Sequence, residues 1–161
     1  MRRMYDDPVA FFLTISTYGT WLPGDTRGWT ERKKGWQLPS PIRVLESTAR
    51  MTEGACILTS ERRALVETQL IETCTHRGWI LYAKNCRSNH MHIVVGARNV
   101  TPKKLRSDLK AWCTRRLRDS DPTRENWWSD RGSIRWILDE RSLDIVIQYV
   151  DEAQDRKHLD R

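Results

Sequence analysis

The segment Asn89-His90-Met91-His92-Ile93-Val94-Val95-Gly96 constrains the fold of this chain more than any other stretch. Side chains alternate between the two faces of a β-strand, so His90 and His92 point to the same side. The opposite face is apolar and carries Met91, Ile93 and Val95. The pattern predicts a strand that packs on a core and presents two imidazoles, which together can bind one divalent metal ion. The alternative is a surface histidine beside a half-buried histidine that already has a partner.

The composition indicates a globular protein. The chain has 161 residues, of which 30% are charged and 39% hydrophobic, and we expect one domain over residues 1–161. No apolar run approaches the roughly 20 residues that cross a bilayer, so no membrane association is predicted. The four cysteines form no Cys-x-x-Cys pair. This spacing argues against a zinc knuckle or a disulfide framework and favours the reducing cytoplasm.

The net charge and the tryptophan content point to a polyanionic partner. The formal net charge is +7, and eight tryptophans are many for a chain of this length. A basic surface attracts nucleic acid, and exposed aromatic rings stack on unpaired bases. The alternative is that the tryptophans belong to the core and that the charge serves only solubility.

The hydrophobic periodicity and the helix-capping and turn residues predict the order strand, helix, strand, strand, helix, strand and a last helix. Ser60 is the predicted N-cap of the first helix and Gly78 its stop, whereas Asp139 or Ser142 caps the last helix. The strand before the His-x-His strand is expected to pair with it in antiparallel fashion. This order is the split βαβ, ferredoxin-like α+β pattern, with a four-stranded antiparallel sheet and two helices on one face. The predicted elements cover residues 10–18, 60–76, 79–83, 89–96, 101–118, 133–138 and 142–154.

Two regions are candidates for contact with nucleic acid. Residues 19–59 read as a long irregular insertion that contains tryptophans and a basic cluster, and its alternative is a passive flap. The second predicted helix has an apolar stripe at Leu105, Leu109, Trp112, Cys113 and Leu117. Its other faces are strongly basic, with only Asp108 opposing the charge, which favours phosphate contacts over a merely solvated face. The cations are Lys103, Lys104, Arg106, Lys110, Arg115, Arg116 and Arg118.

Tyr149 lies on the flank of the apolar face of the last predicted helix. On a helical wheel Val146, Ile147 and Val150 cluster near Leu143, whereas Tyr149 stands apart from that cluster. Its hydroxyl could therefore reach a neighbouring site. The alternative is an amphipathic tyrosine that covers the rim of the core.

The motif Asn89-His90-Met91-His92, followed by Tyr149 on a late helix, resembles the single-tyrosine HUH nucleases. More closely, the chain resembles the insertion-sequence transposases of that group and the REP-associated tyrosine transposases. The resemblance implies a ferredoxin-like fold and attack on single-stranded or hairpin DNA with Mg²⁺ or Mn²⁺. Tyr149 would form a covalent 5′-phosphotyrosine, and His90 and His92 would bind the metal.

The resemblance also implies a third metal ligand one turn after the tyrosine, but that position is Ala153. We expect Gln154 to supply the ligand, with Glu152 as the rival. A site without a proper third ligand would be weak or inactive, so a non-catalytic binder of hairpin DNA or RNA on the same scaffold stays an alternative. A plasmid replication or relaxase-type enzyme is a more distant one. The oligomeric state is open, because in some relatives a homodimer exchanges the tyrosine helix and in others the protein acts alone.

Overall fold

The computed structural model describes residues 7–130 and 132–152. Each strand and helix begins and ends close to the capping or turn residues in its sequence. In chain order the elements are β1 (Ala10–Ser16), β2 (Trp29–Glu31), β3 (Gly35–Gln37), α1 (Pro41–Arg50), α2 (Ser60–Arg77), β4 (Ile80–Cys86), β5 (His90–Gly96), α3 (Pro102–Ser120), β6 (Ser133–Ile137) and α4 (Glu140–Asp151).

Four strands form one antiparallel sheet in the order β4-β5-β1-β6. The connection from β1 to β4 carries α2, and the connection from β5 to β6 carries α3, so each skips one strand of the sheet. The predicted ferredoxin-like α+β order is confirmed, as is the antiparallel pairing of β4 with β5. A second, two-stranded sheet joins β2 and β3.

Alternation along β1 and β5 separates two cores on opposite faces of the sheet. The larger core lies under α2 and α3 and receives every second residue of the two central strands, including Leu13, Met91 and Ile93. The smaller core lies under α4 and contains Val94, Leu143 and Val150. Full burial of such a side chain contributes roughly 1.5–3 kcal/mol, so the register of β5 is fixed from both sides.

Several predicted boundaries and exposures are wrong in detail. The N-cap of α2 is Thr59 rather than Ser60, because the extended backbone at Thr59 lets its hydroxyl accept from the Arg62 N–H. Of the two caps considered for α4, the structure uses Asp139. Trp112 was expected in the apolar stripe of α3, but it is 37% exposed at the margin of the stripe and lies beside the Arg115 guanidinium.

The insertion at residues 19–59 is not irregular throughout, which corrects the prediction. It contains the β2–β3 hairpin and the helix α1, whose N-cap is Ser40 and whose first residue is Pro41. Although α1 is amphipathic, none of its residues is buried, and the apolar side chains of Ile42 and Leu45 are exposed. Within residues 7–130 and 132–152, no helix is long and apolar enough to cross a membrane.

Gly78 provides a test of how α2 ends. Its φ of 71° lies in the left-handed region, and a Cβ built there would have no atom within 4 Å. Gly78→Ala should therefore lower the free energy of unfolding by about 1 kcal/mol through backbone strain alone. Urea denaturation followed by circular dichroism measures this loss.

The matched control for this substitution is Gly54→Ala, which also meets open space but carries no positive φ. It should leave the urea midpoint close to that of the wild type. Equal midpoints for the two variants would contradict the assigned helix end.

Candidate active site

β5 presents His90 and His92 on the face of the sheet that α4 covers. Met91 points into the larger core between them, so the two imidazoles are held on the other side, with ring centroids 4.8 Å apart. His92 is only 8% exposed, whereas His90 is half-buried. The predicted orientation of the histidine pair is therefore what the structure shows.

Each imidazole is oriented by a hydrogen bond at Nδ1. The Nδ1 of His92 lies 2.9 Å from the Thr14 hydroxyl, which β1 places directly opposite. The Nδ1 of His90 lies 2.7 Å from the Asn89 side-chain oxygen. An amide oxygen only accepts and a hydroxyl can accept, so both rings are satisfied with the proton on Nδ1 and the lone pair on Nε2. Metal-binding histidines have this arrangement.

Burial keeps His92 uncharged. Removal from water lowers the pKa of His92 to about 4, and the neighbouring His90 and the Arg87 charge act in the same direction. The ring is therefore neutral at neutral pH, which is the protonation state that binds a metal ion.

Tyr149 on α4 approaches this pair within the same chain. Its ring centroid lies 6.0 Å from that of His92, and both rings contact Phe12, which stacks on His92 at 5.2 Å. The neighbouring Val150 is buried, and its carbonyl accepts a hydrogen bond from Asn85 on β4, which fixes the helix against the sheet. Tyr149 itself is 46% exposed, so a phosphate can reach its hydroxyl.

The third metal ligand is not assembled in the part of the chain that the structure describes. Gln154, the expected ligand, lies outside the described residues. The rival Glu152 accepts a hydrogen bond from Gln148 on α4. Among residues 7–130 and 132–152, no group of three or more His, Cys, Asp and Glu side chains could hold a metal. Glu152 therefore does not join the two histidines.

A cleft of about 640 Å³ extends from His92 between β6 and α4. Its wall includes His92, Tyr149, Thr14 and Arg135. The sequence analysis missed Thr14 and Arg135 as site residues. Alternation along the first strand already places Thr14 on the face away from Leu13, but only the strand register shows that Arg135 lies on that face too, opposite Phe12.

The basic helix α3 lies on the other side of the sheet from the histidines. Part of its charge is used within the protein: Lys104 pairs with Asp108, and Arg116 pairs with Glu72. Arg106 donates to the Gly132 carbonyl. The excess of cations that the sequence suggests for this helix is therefore reduced in the folded protein.

The comparisons with known proteins agree with this architecture. Residues 51–153 match the family model of IS200-like transposases. A candidate transposase from Deinococcus radiodurans R1 is 16% identical with a TM-score of 0.53, covering 94% of this chain and 95% of its own. A REP-associated tyrosine transposase bound to a REP hairpin is 12% identical with a TM-score of 0.51, covering 98% of this chain and 73% of its own.

No curated protein is significantly similar to the sequence. The two solved structures share the fold over nearly the whole chain. The family match covers more than half of the chain and includes His90, His92 and Tyr149. On this basis the chain belongs to the IS200-like transposase family.

Proposed function

We propose that this protein is a DNA strand transferase that cleaves single-stranded, hairpin-bearing DNA through Tyr149. The observation that carries the proposal is the approach of the Tyr149 ring to His92, which in turn lies beside His90 on one face of β5. Both groups come from one chain, so the chemistry does not need a tyrosine helix from a second subunit. The DNA partner is supported by the net charge of +7 and by the relative that was solved with a REP hairpin.

In the proposed reaction, the Tyr149 hydroxyl oxygen attacks the scissile phosphorus. A P–O bond to tyrosine forms while the bond to the 3′ oxygen breaks, which leaves a 5′-phosphotyrosine and a free 3′-hydroxyl. The phenolic proton passes to water, and the departing 3′ oxygen takes up a proton from water. The phosphodiester energy is kept in the covalent link, so a 3′-hydroxyl can reverse the reaction and rejoin strands.

The imidazole pair fits a divalent ion, which we propose is Mg²⁺ or Mn²⁺. His90 and His92 would hold it through Nε2, and Gln154 remains the candidate for a third ligand. When bound, such an ion supplies Lewis-acid assistance at the scissile phosphate. The chain's own part is to keep the His92 ring neutral by burial and to orient both rings through Asn89 and Thr14.

The second candidate function is a non-catalytic binder of hairpin DNA or RNA on the same scaffold. The observation in its favour is the incomplete ligand set among the described residues. A binder would retain affinity for the hairpin but would form no covalent product, so a single assay separates the two functions.

Replacing Tyr149 with Phe tests the nucleophile. Wild-type protein incubated with hairpin-bearing single-stranded DNA and Mn²⁺ should yield a protein–DNA adduct that survives denaturing electrophoresis. Tyr149→Phe removes the attacking oxygen and should abolish the adduct. Tyr82→Phe is the matched control, since Tyr82 packs in the same smaller core and loses the same hydroxyl. Wild-type binding without an adduct would instead establish the non-catalytic function.

Replacing His90 with Ala tests the metal role. Adduct formation should fall below detection because one of the two imidazole ligands is gone, while hairpin binding in a gel-shift assay stays near that of the wild type. His76→Ala removes an exposed imidazole at the end of α2 and should leave both activities intact. Full cleavage by His90→Ala would overturn the assignment of His90 as a ligand.

Thr14 should act on the site through His92. Thr14→Val deletes the hydroxyl that orients the imidazole and should raise the Mn²⁺ concentration for half-maximal adduct formation about 10- to 100-fold. Thr14→Ser keeps a hydroxyl and should retain most of the affinity. Equal Mn²⁺ dependence for the Val and Ser variants would show that the hydrogen bond does not tune the site.

A further inference from the structure

The start of the 19–59 insertion is attached directly to the histidine strand. The hydroxyls of Thr17 and Thr20 both donate to the Asn89 carbonyl, at 3.1 and 3.2 Å. The side chain of the same Asn89 accepts from His90. The start of the insertion is therefore hydrogen-bonded, through Thr20, to the residue that precedes His90.

The residue that follows Thr20, Trp21, is an exposed indole in a fixed orientation. Its Nε1–H donates to the Gly28 carbonyl at 2.8 Å, and the Arg27 guanidinium lies over the ring at 4.0 Å from its centroid. The side chain nevertheless remains 43% exposed. Arg27 lies over one ring face and Gly28 occupies the Nε1 edge, and the exposed remainder of the indole is open to a ligand.

Arg27 is held in place by neighbours within the same loop. Its guanidinium forms a two-pronged ion pair with Asp25 at 2.7 Å and donates to the Thr20 carbonyl at 2.8 Å. An arginine with so many fixed partners acts as a rigid backing for the indole rather than as a mobile phosphate ligand. The orientation of Trp21 is therefore set before any ligand arrives.

A second exposed indole contacts the same glycine. A Cβ built on Gly28 would lie only 2.0 Å from Cζ2 of Trp36, so the Trp36 ring lies directly against the Gly28 backbone. Trp36 is 63% exposed. Two indoles thus flank one glycine, and both side chains remain largely exposed to water. The exposed part of each ring contributes little to the stability of the fold.

The hairpin that carries Trp36 also carries positive charge at its turn. Arg32 and Lys33 form no ion pair within residues 7–130 and 132–152, and Lys34 lies 3.7 Å from Glu31. Exposed rings next to cations with no carboxylate partner are the combination that binds unpaired nucleotides, since the rings stack on bases and the cations attract phosphates.

We propose that Trp21 and Trp36 form a stacking platform for unpaired bases of the DNA strand that reaches Tyr149. The chemistry of the ligand follows from the platform: flat, unpaired bases joined by phosphates. This inference rests on the proposed cleavage function, because it assigns the stacked bases to the strand that carries the scissile phosphate. The platform is distinct from the cleft between β6 and α4.

The binding test uses the full chain with Tyr149→Phe, so that no cleavage interferes. Fluorescence anisotropy measures the Kd for a labelled oligothymidylate of about 20 nucleotides. Trp21→Ala and Trp36→Ala should each weaken binding roughly 5-fold to 100-fold. Trp112→Ala is the matched control, since Trp112 is also exposed beside an arginine but lies on α3, on the far side of the sheet. It should leave the Kd near that of the parent protein.

Conservative variants separate stacking from misfolding. Trp21→Phe and Trp36→Phe keep a flat ring and should recover most of the affinity. An unchanged Kd for both Ala variants would overturn the platform, as would an equal loss on a blunt duplex of the same length, whose bases are already paired. Tighter binding of oligouridylate than of oligothymidylate by the parent protein would overturn the assignment to DNA. A change in oligomeric state without a change in Kd would reassign the two rings to a protein interface.

This test and the adduct assay fail independently. A wild-type protein that forms no adduct while the two Ala variants lose oligothymidylate affinity would refute the cleavage function and retain the platform as a binding surface. Normal adduct formation by Trp21→Ala and Trp36→Ala in protein that retains Tyr149, together with an unchanged Kd in the Tyr149→Phe background, would refute the platform and retain the cleavage function.

Discussion

The packing of β5 into the larger core is the constraint on which the candidate site depends. Met91 and Ile93 are fully buried under α2 and α3, so the alternation of the strand leaves His90 and His92 only one direction in which to point. A slip of one residue in the pairing with β1 would bury both imidazoles in the apolar core and expose Met91. That exchange would lose the free energy gained by burying several apolar side chains. The same hydrophobic packing that stabilises the sheet therefore also positions the histidine pair.

The two sides of the proposed reaction centre differ in rigidity in a way that suits their roles. His92 is buried, hydrogen-bonded to Thr14 and stacked on Phe12, so its ring is confined before any ion binds. Tyr149 stands on a helix that is anchored by Val150 and Asn85, yet its own side chain remains accessible. A fixed pair of imidazoles beside an accessible phenol lowers the entropic cost of bringing a phosphate and its nucleophile together.

Local signals in the sequence were sufficient for the sheet and the two packed helices, whereas a site that joins Tyr149 to the histidine pair was expected only from the family resemblance. Local signals were insufficient where the outcome depends on contacts distant in sequence. Thr14 becomes a site residue only because the β1 register places it opposite His92, and Trp112 leaves the core because Leu109 and Cys113 fill the space between α3 and α2. The helix and hairpin of the insertion were not predicted because they are short: β2 and β3 have three residues each, and α1 has ten, too few for a clear periodic signal.

The basic and aromatic residues of the sequence form two groups, one on α3 and one on the insertion, and the two groups differ in how they are connected to the histidine pair. The cations of α3 lie on the opposite side of the sheet from the histidines, and two of them, Lys104 and Arg116, pair with Asp108 and Glu72. The insertion, by contrast, is hydrogen-bonded through Thr20 to the backbone of Asn89, the residue that precedes His90. Net charge alone could not distinguish these two surfaces, but the hydrogen bonds do, because they join the insertion to the residue beside His90. The affinity of a surface for DNA helps to position the scissile phosphate only when that surface is rigidly joined to the groups proposed to react with it.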